Sequence, residues 1–403
     1  MNILFISLSD FSKGLEGIYG ELMECFAEHG HKVTVVCPVQ RRLGIETSLM
    51  SKQGIEILAV RTLNITGKCS LLEKGMGTVL VGHQFLTAVK RYLADRQVDL
   101  ILYATPPVTI APLVEKLKAW YRCKTYLLLK DIFPQNAVDL GMFSKKSPLY
   151  LYFKHLERRL YQVSDHIGCM SQANVDYILK HEPYLSADRV EINPNSRKLV
   201  KIERQPKIRE KYGIPTDRIV LIYGGNFGKP QGVDFIAKCL DVIEQRSEVF
   251  CVLVGSGKEA GKIEQTIKDK RLQNTKFLPR LPKDEFEALC AASDLGLVFL
   301  DHRFTIPNFP SRTLSYMAVG LPYLACVDRV SDIGTLAEAN GFGVNCYSGD
   351  VGFFALALDQ FISGVKRNSE YLQEKGRKAY RYFIENYLVD GSYQIICSHA
   401  ERN

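Results

Sequence analysis

Ile219-Val220-Leu221-Ile222-Tyr223-Gly224-Gly225-Asn226-Phe227-Gly228-Lys229-Pro230-Gln231-Gly232 reads as a short apolar strand running into a glycine-rich loop, and the pattern of Val233 to Leu240 reads as the helix that follows. Strand, loop and helix in that order form half of a βαβ unit, whose loop lies at the carboxyl end of a parallel sheet. Glycines there let the backbone approach a phosphate closely, and Lys229 can neutralise it. A plain βα turn has the same composition, so the loop alone leaves both readings open.

Working outward, the same rhythm fills the chain. Ile3 to Ser7, a helix through Glu21 to His29, Val33 to Cys37, Leu100 to Ala104, Thr125 to Leu129 and His166 to Met170 make one series of units. Ile219 to Tyr223, Phe250 to Val254, Thr275 to Leu278, Leu295 to Phe299 and Tyr323 to Cys326 make a second. Between them, Ile192-Asn193-Pro194-Asn195-Ser196 and a charged stretch to about Pro206 break the hydrophobic pattern and read as a linker. The expected fold class is therefore α/β, with two Rossmann-like parallel-sheet domains, residues 1–195 and 206–370, facing a central cleft that holds the ligand. A chain of 403 residues suits two domains of about 200 residues each.

Composition sets the class. With 46% hydrophobic and 24% charged residues the chain is that of a globular protein without a disorder signature. No apolar run reaches the roughly 18–20 residues of a membrane span, and Met1-Asn2-Ile3-Leu4-Phe5-Ile6 reads as a strand with no basic leader, so the expected location is cytoplasmic. The eleven cysteines are scattered without a Cys-x-x-Cys or Cys/His spacing and read as buried hydrophobes in a reducing compartment; no metal site is expected. Residues 1–200 hold 25 Lys and Arg against 19 Asp and Glu, and most of the net charge of +8 falls there. That excess points to an anionic partner, a membrane surface or an acidic acceptor.

Pro310-Ser311-Arg312-Thr313-Leu314-Ser315-Tyr316-Met317-Ala318-Val319-Gly320-Leu321-Pro322 reads as a tight entry into a short helix whose first amides lie free beside an arginine. Free amides, the positive end of the helix dipole and a bidentate Arg312 would suit a phosphate. Pro-Ser-Arg, a Tyr-Met-Ala helix and Gly-x-Pro in this order resemble the diphosphate-binding segment of retaining sugar-nucleotide glycosyltransferases of family four. The loop at 224–232 is similar to the Gly-Asn-x-Gly-Lys-x-Gln-Gly loop of a bacterial N-acetylfucosamine-transferase-like branch of that family. Asp131-Ile132-Phe133-Pro134-Gln135-Asn136-Ala137-Val138-Asp139-Leu140-Gly141 resembles the same branch.

The resemblance implies the GT-B architecture, with helices from 371 to 403 crossing back to the first domain. It implies a donor site that includes Gly14, Asn226, Lys229, Gln231, Gly255, Arg280, Ser311, Arg312, Thr313 and Ser315. Gly14 aligns with the second glycine of the family's Gly-Gly loop, Gly255 with its Gly-x-Gly turn, and Arg280 with the position beside the base. His31, in Gly-His-x-Val-x-Val, matches a structural strand entry. The wider family has an arginine and a lysine where this chain has Asn226 and Gln231, so the resemblance leaves Lys229 with Arg312 to supply the charge; the family's two glutamates, which contact ribose and donor sugar, are replaced by Pro307 and Ser315.

Asp131 follows directly on the strand Thr125 to Leu129, where a carboxylate can orient a sugar hydroxyl or take the acceptor proton; capping the next turn is the alternative. Ser144 to Tyr161 joins aromatics to six basic side chains, among them Lys145, Lys146, Arg158 and Arg159. It reads either as an interfacial helix meeting anionic lipid or as a core-packed helix with a solvated basic face. Asp-x-Asp, Walker, Gly-x-Ser-x-Gly and His-Glu-x-x-His motifs are missing, so activation by protein cations without a metal or other cofactor is expected.

The function implied is transfer of a sugar, with retention, from a nucleotide diphosphate, uridine diphosphate foremost, to a polyprenyl-diphosphate-linked saccharide in capsule or O-antigen assembly. Partners would be the donor, this acceptor and the inner face of the cytoplasmic membrane, but not nucleic acid. A non-catalytic nucleotide- or partner-binding relative is the second reading, and a nucleotide-sugar 2-epimerase the third.

Overall fold

The computed structural model describes residues 1–65, 70–199, 205 and 207–400. The chain divides into two compact units, residues 1–198 with 389–403, and residues 199–388. Part of the expected linker, residues 200–204 and Pro206, lies outside the described residues.

The first unit carries strands β1 (Asn2–Ile6), β2 (Lys32–Gln40), β3 (Ser48–Lys52), β4 (Ile55–Thr62), β5 (Leu100–Ala104), β6 (Lys124–Leu129), β7 (His166–Cys169) and β8 (Val190–Ile192). They form one sheet in the order β3-β4-β2-β1-β5-β6-β7-β8. The pairs are parallel except β3 with β4, an antiparallel hairpin at the edge. Gln53 and Gly54 turn that hairpin with φ of 50° and 79°, the geometry that suits the right-handed twist of two flanking strands. The sequence rhythm missed both strands: β3 is only partly buried, and Ser48-Leu49-Met50-Ser51-Lys52 carries little apolar patterning, whereas β4 is buried and its Ile57-Leu58-Ala59-Val60 run was passed over.

The second unit carries β9 (Ile219–Asn226), β10 (Val249–Ser256), β11 (Thr275–Leu278), β12 (Leu295–Phe299), β13 (Tyr323–Val327) and β14 (Gly343–Tyr347). Their order is β11-β10-β9-β12-β13-β14, all parallel. The strand order reverses between β9 and β12, and in such sheets ligands bind outside the carboxyl ends at that point. Leu221, Leu253, Leu297 and Leu324, on strands β9, β10, β12 and β13, tie the sheet to helices Val233–Glu244 and Val351–Arg367 in one apolar core.

The C-terminal helices divide differently from expectation. Helix Tyr371–Asn386 stays with the second unit, where buried Gly376 meets Gly320 and Phe383 is fully enclosed. Only helix Val389–Ala400 joins the first unit, burying Val389, Ile396 and Cys397 in the core built on β1 and β2. The amphipathic pattern of 371–386 could not show which core it covers.

Candidate functional site

The second sheet's switch point is built on glycine. β9 runs three residues beyond the expected strand because Gly224, Gly225 and Asn226 keep register with Val254, Gly255 and Ser256 of β10. Gly255 has φ +154°, and a Cβ there would collide with the carbonyl of Gly225; one on Gly257 would collide with Phe227. The two strand ends are thus held closer than any side chain allows, and the bonds from Phe227 N–H to Ser256 O (2.9 Å) and Glu259 N–H to Phe227 O (3.0 Å) fix them.

Arg312 lies over this junction. Its Nη1 donates to the Gly224 carbonyl at 2.6 Å, and its guanidinium stands 4.5 Å from the ring centre of Tyr223. A Cβ on Gly225 would strike the guanidinium, so Gly225 makes the place where Arg312 rests. Tyr316, one turn along helix Arg312–Ala318, anchors the arginine's helix. Its buried hydroxyl accepts from Gly224 N–H and lies 3.2 and 3.1 Å from the carbonyls of Ile222 and Leu297, joining β9 to β12. Sequence reasoning gave Tyr316 no role; an apolar helix position does not reveal a hydroxyl aimed at two strands.

Around Arg312 the loops are braced by carboxylates. Asp301, after β12, receives two bonds from Arg303, at 2.8 and 2.7 Å, and its N–H donates to Pro230 O in the β9 loop. Burial pushes the Asp301 carboxyl up, but these bonds hold it below its ordinary value. Asp328 takes the Ser331 hydroxyl at 2.8 Å, and Ser331 accepts from Asn308 N–H at 2.9 Å, which fastens the segment leading into helix 312–318.

The other expected donor residues fall in different places. Lys229 is exposed and its side chain has no ion pair among the described residues; Ser311 and Arg280 are exposed, and Asn226 donates from Nδ2 to Gln231 Oε1 at 3.1 Å. Ser315 is half-buried on the same helix as Arg312. Two expectations need correction. Thr313 is fully buried with its hydroxyl on Pro310 O at 2.8 Å, so it presents nothing to a ligand. Nor are the first helix amides all free, because Thr313 N–H and Leu314 N–H bond to Pro310 O and Ser311 O in a tight first turn.

In the first unit, Gly14 has open space around it and an ordinary φ; the left-handed residue is Gly17, and Gly20 is where a Cβ would strike Leu15 O. His31 is structural, bonded to the N-terminal amine and to the Tyr393 hydroxyl, both at 3.0 Å. Asp131, just after β6, does not cap the turn Gln135–Asp139, which has no side-chain cap. Both its oxygens instead accept from Asn136 Nδ2 at 2.8 Å. Desolvation pushes its carboxyl up to about 6 against that bond. Beside it Lys130, given no role from sequence, donates from Nζ to Asn193 O at 3.2 Å, and burial lowers its pKa to about 7. Lys130 lines a small cavity with Tyr19, Asn195, Ser196 and Ser392, into which no strand pattern could have placed it.

Residues 13–197 match the family model described as Glycosyltransferase Family 4, and residues 204–379 match that described as Glycosyl transferases group 1. Each match falls on one of the two Rossmann-like units. The chain has the GT-B fold, and both of its units match glycosyltransferase families. A probable glycosyltransferase, WbjE of Pseudomonas aeruginosa, is 24% identical over 76% of this chain and 80% of its own. A putative colanic acid biosynthesis glycosyl transferase, WcaI of Escherichia coli K12, is 23% identical over 84% of this chain and 86% of its own. Among solved structures, HepE of Anabaena in complex with UDP-glucose matches with a TM-score of 0.71 and 15% identity, covering 99% of both chains.

This GT-B chain also carries the basic aromatic segment, and its structure separates the charges. Helix Pro148–Val163 ties Arg159 to Glu115 and Lys154 to Glu157 and Glu182, while the Arg158 guanidinium covers the Tyr184 ring at 4.8 Å. Arg158 is exposed over that ring and Arg159 is partly exposed in its ion pair, so both are engaged by neighbours within the unit. Lys145 and Lys146 remain exposed, next to Leu149, Leu151 and Tyr152 at 48%, 62% and 43% exposure and to Met142 at 65%. No helix among the described residues is long and apolar enough to cross a membrane.

Proposed function

We propose that the protein transfers a sugar, with retention, from a nucleoside-diphosphate sugar to a hydroxyl of a polyprenyl-diphosphate-linked saccharide in surface-polysaccharide assembly. The observation that carries this reading is Arg312, fixed by Gly224 O and the Tyr223 ring over a glycine-paired strand end, with uncommitted Lys229 in the same loop. A fixed guanidinium and a free ammonium at a sheet switch point suit a diphosphate leaving group. The UDP-glucose bound to HepE supports uridine as the base, and the name of WcaI supports a polysaccharide product. A bound donor must raise stability, so a panel of nucleotide sugars should give one or two with a clear upward shift in melting temperature. A flat response across the panel, with no sugar transfer to lipid-linked acceptor, would favour the non-catalytic, partner-binding reading that Pro307 and Ser315, in place of glutamates, also admit.

In this reading Asp131 acts as the ionised carboxylate that orients donor sugar or acceptor hydroxyl. Its carboxyl titrates at about 6, so kcat should fall as pH drops through that value. Asn136→Ala removes the bond that lowers the pKa, and the acid limb should move to higher pH. An acid limb that stays in place in this variant would separate Asp131 from turnover.

The acceptor is lipid-linked, and the exposed Lys145, Lys146, Leu149 and Leu151 form the surface that would meet it at an anionic membrane. Sedimentation with vesicles containing anionic lipid should be strong at low salt and lost as salt screens the charges. Lys145→Gln with Lys146→Gln should abolish it, whereas Arg158→Gln should not. The reverse pattern would return this segment to a simple solvated face.

A further inference from the structure

The sequence reading found no cysteine–histidine spacing, yet Cys25 and His29 stand four apart at the end of helix Gly17–Glu28 and so share a face. The fold adds a third donor from the far end of the chain. Asp390, in the first turn of helix Val389–Ala400, places Oδ1 at 3.9 Å from the Cys25 sulfur, and His29 Nδ1 lies 3.8 Å from the same sulfur. All three donor atoms lie within 4.8 Å of one another. We propose that Cys25 Sγ, His29 Nδ1 and Asp390 Oδ1 form a zinc site that clamps the start of the C-terminal helix to helix Gly17–Glu28, with water as the fourth ligand.

The chemistry and geometry agree on the ion. One thiolate, one imidazole and one carboxylate suit Zn²⁺, and not Mg²⁺ or Ca²⁺, which take oxygen donors. Zinc bond lengths place tetrahedral donors about 3.4–3.6 Å apart, so the two sulfur contacts need to close by only a few tenths of an ångström. His29 and Asp390 are exposed, so their side chains can close these gaps and the nitrogen-to-oxygen separation, which lies within 4.8 Å. The His29 ring is already oriented by stacking on Tyr393, with centres 4.1 Å apart.

The nearby cation offers little resistance to the ion. Lys198 Nζ is paired with Glu28 at 2.6 Å and with Glu24 at 3.1 Å. On binding, the Cys25 thiol releases its proton to solvent. The proton that Nδ1 now donates to Cys25 O, at 2.8 Å, moves to Nε2, leaving a neutral imidazole on the metal. The site holds the point where the chain returns to the first unit, next to the bond from Val389 N–H to Arg197 O at 3.1 Å. Its loss would loosen that return.

The test is titration of the full chain with zinc chloride after treatment with chelator. One ion should bind per chain, and zinc at a hundredfold excess over its Kd should raise the melting temperature by about 5–10 °C. Cys25→Ser, His29→Gln and Asp390→Asn should each remove most of that shift, whereas Cys123→Ser, at a half-exposed cysteine elsewhere, should keep it. Cobalt in place of zinc should give a thiolate-to-metal charge-transfer band that Cys25→Ser abolishes. Asp390→Asn preserves size and is the arm expected to fold without metal. If that folded variant binds zinc as tightly as the parent, or if the parent shows no shift, the proposal is overturned.

Discussion

Replacing Asp131 with asparagine is expected to lower kcat by roughly 10²–10⁴-fold while leaving nucleotide affinity nearly unchanged, since size and most hydrogen bonding survive and only the charge is lost. The structure sharpens the stability side of this test. The folded Asp131 holds its proton up to about 6, above the ordinary 3.8 of an aspartate. The stabilisation linked to that raised pKa is present below the ordinary value and is lost as pH rises through about 6, so the ionised form is a burden at neutral pH. Asp131→Asn should therefore melt no lower than the parent at pH 8, and the drop in turnover can be read without correction for unfolding. Near-normal kcat in a folded variant would leave the transfer reading without a named acid or base.

Arg312→Ala should weaken binding of a nucleoside diphosphate by about 10- to 100-fold, the range of a charge-assisted bond contributing about 1.5–3 kcal/mol. Free nucleoside should lose much less. Calorimetric titration with UDP and with uridine compares the two directly. Because Arg312 also bonds Gly224 O and covers Tyr223, Arg312→Lys is the informative companion. An ammonium keeps the charge but not the planar fork, so intermediate affinity for the diphosphate is expected. Equal losses for UDP and uridine in Arg312→Ala would reassign the residue to packing of the strand end.

Much of the fold was legible because burial on both faces of a parallel sheet leaves near-continuous apolar runs, and β9, β10, β12 and β13 fall where Ile219, Phe250, Leu295 and Tyr323 begin such runs. Edge strand β3 was not, since a strand half open to water carries a weak pattern; β4, buried between β3 and β2, has a legible apolar run at Ile57 to Val60 that was passed over. Of the candidate residues, Lys229 and Arg312 in the second unit and Asp131 in the first could be picked out because their residue types stand at strand ends and helix starts; their roles are the proposal made above. Thr313 looked like a fourth member only because sequence order does not tell which side of a seven-residue helix is enclosed.

The amino-acid sequence by itself determined two Rossmann-like units, the glycine loop after Ile219–Tyr223 and the kinds of charge near it, since strand periodicity and glycine placement are local properties of the chain. Tertiary structure alone decided which groups meet. Only there does Gly225 make a seat for the Arg312 guanidinium 87 positions later, Tyr316 join β9 to β12, Asp390 reach Cys25, and Lys130 become buried enough to titrate near 7. Each depends on distance and desolvation between segments remote in sequence, and no local pattern encodes either.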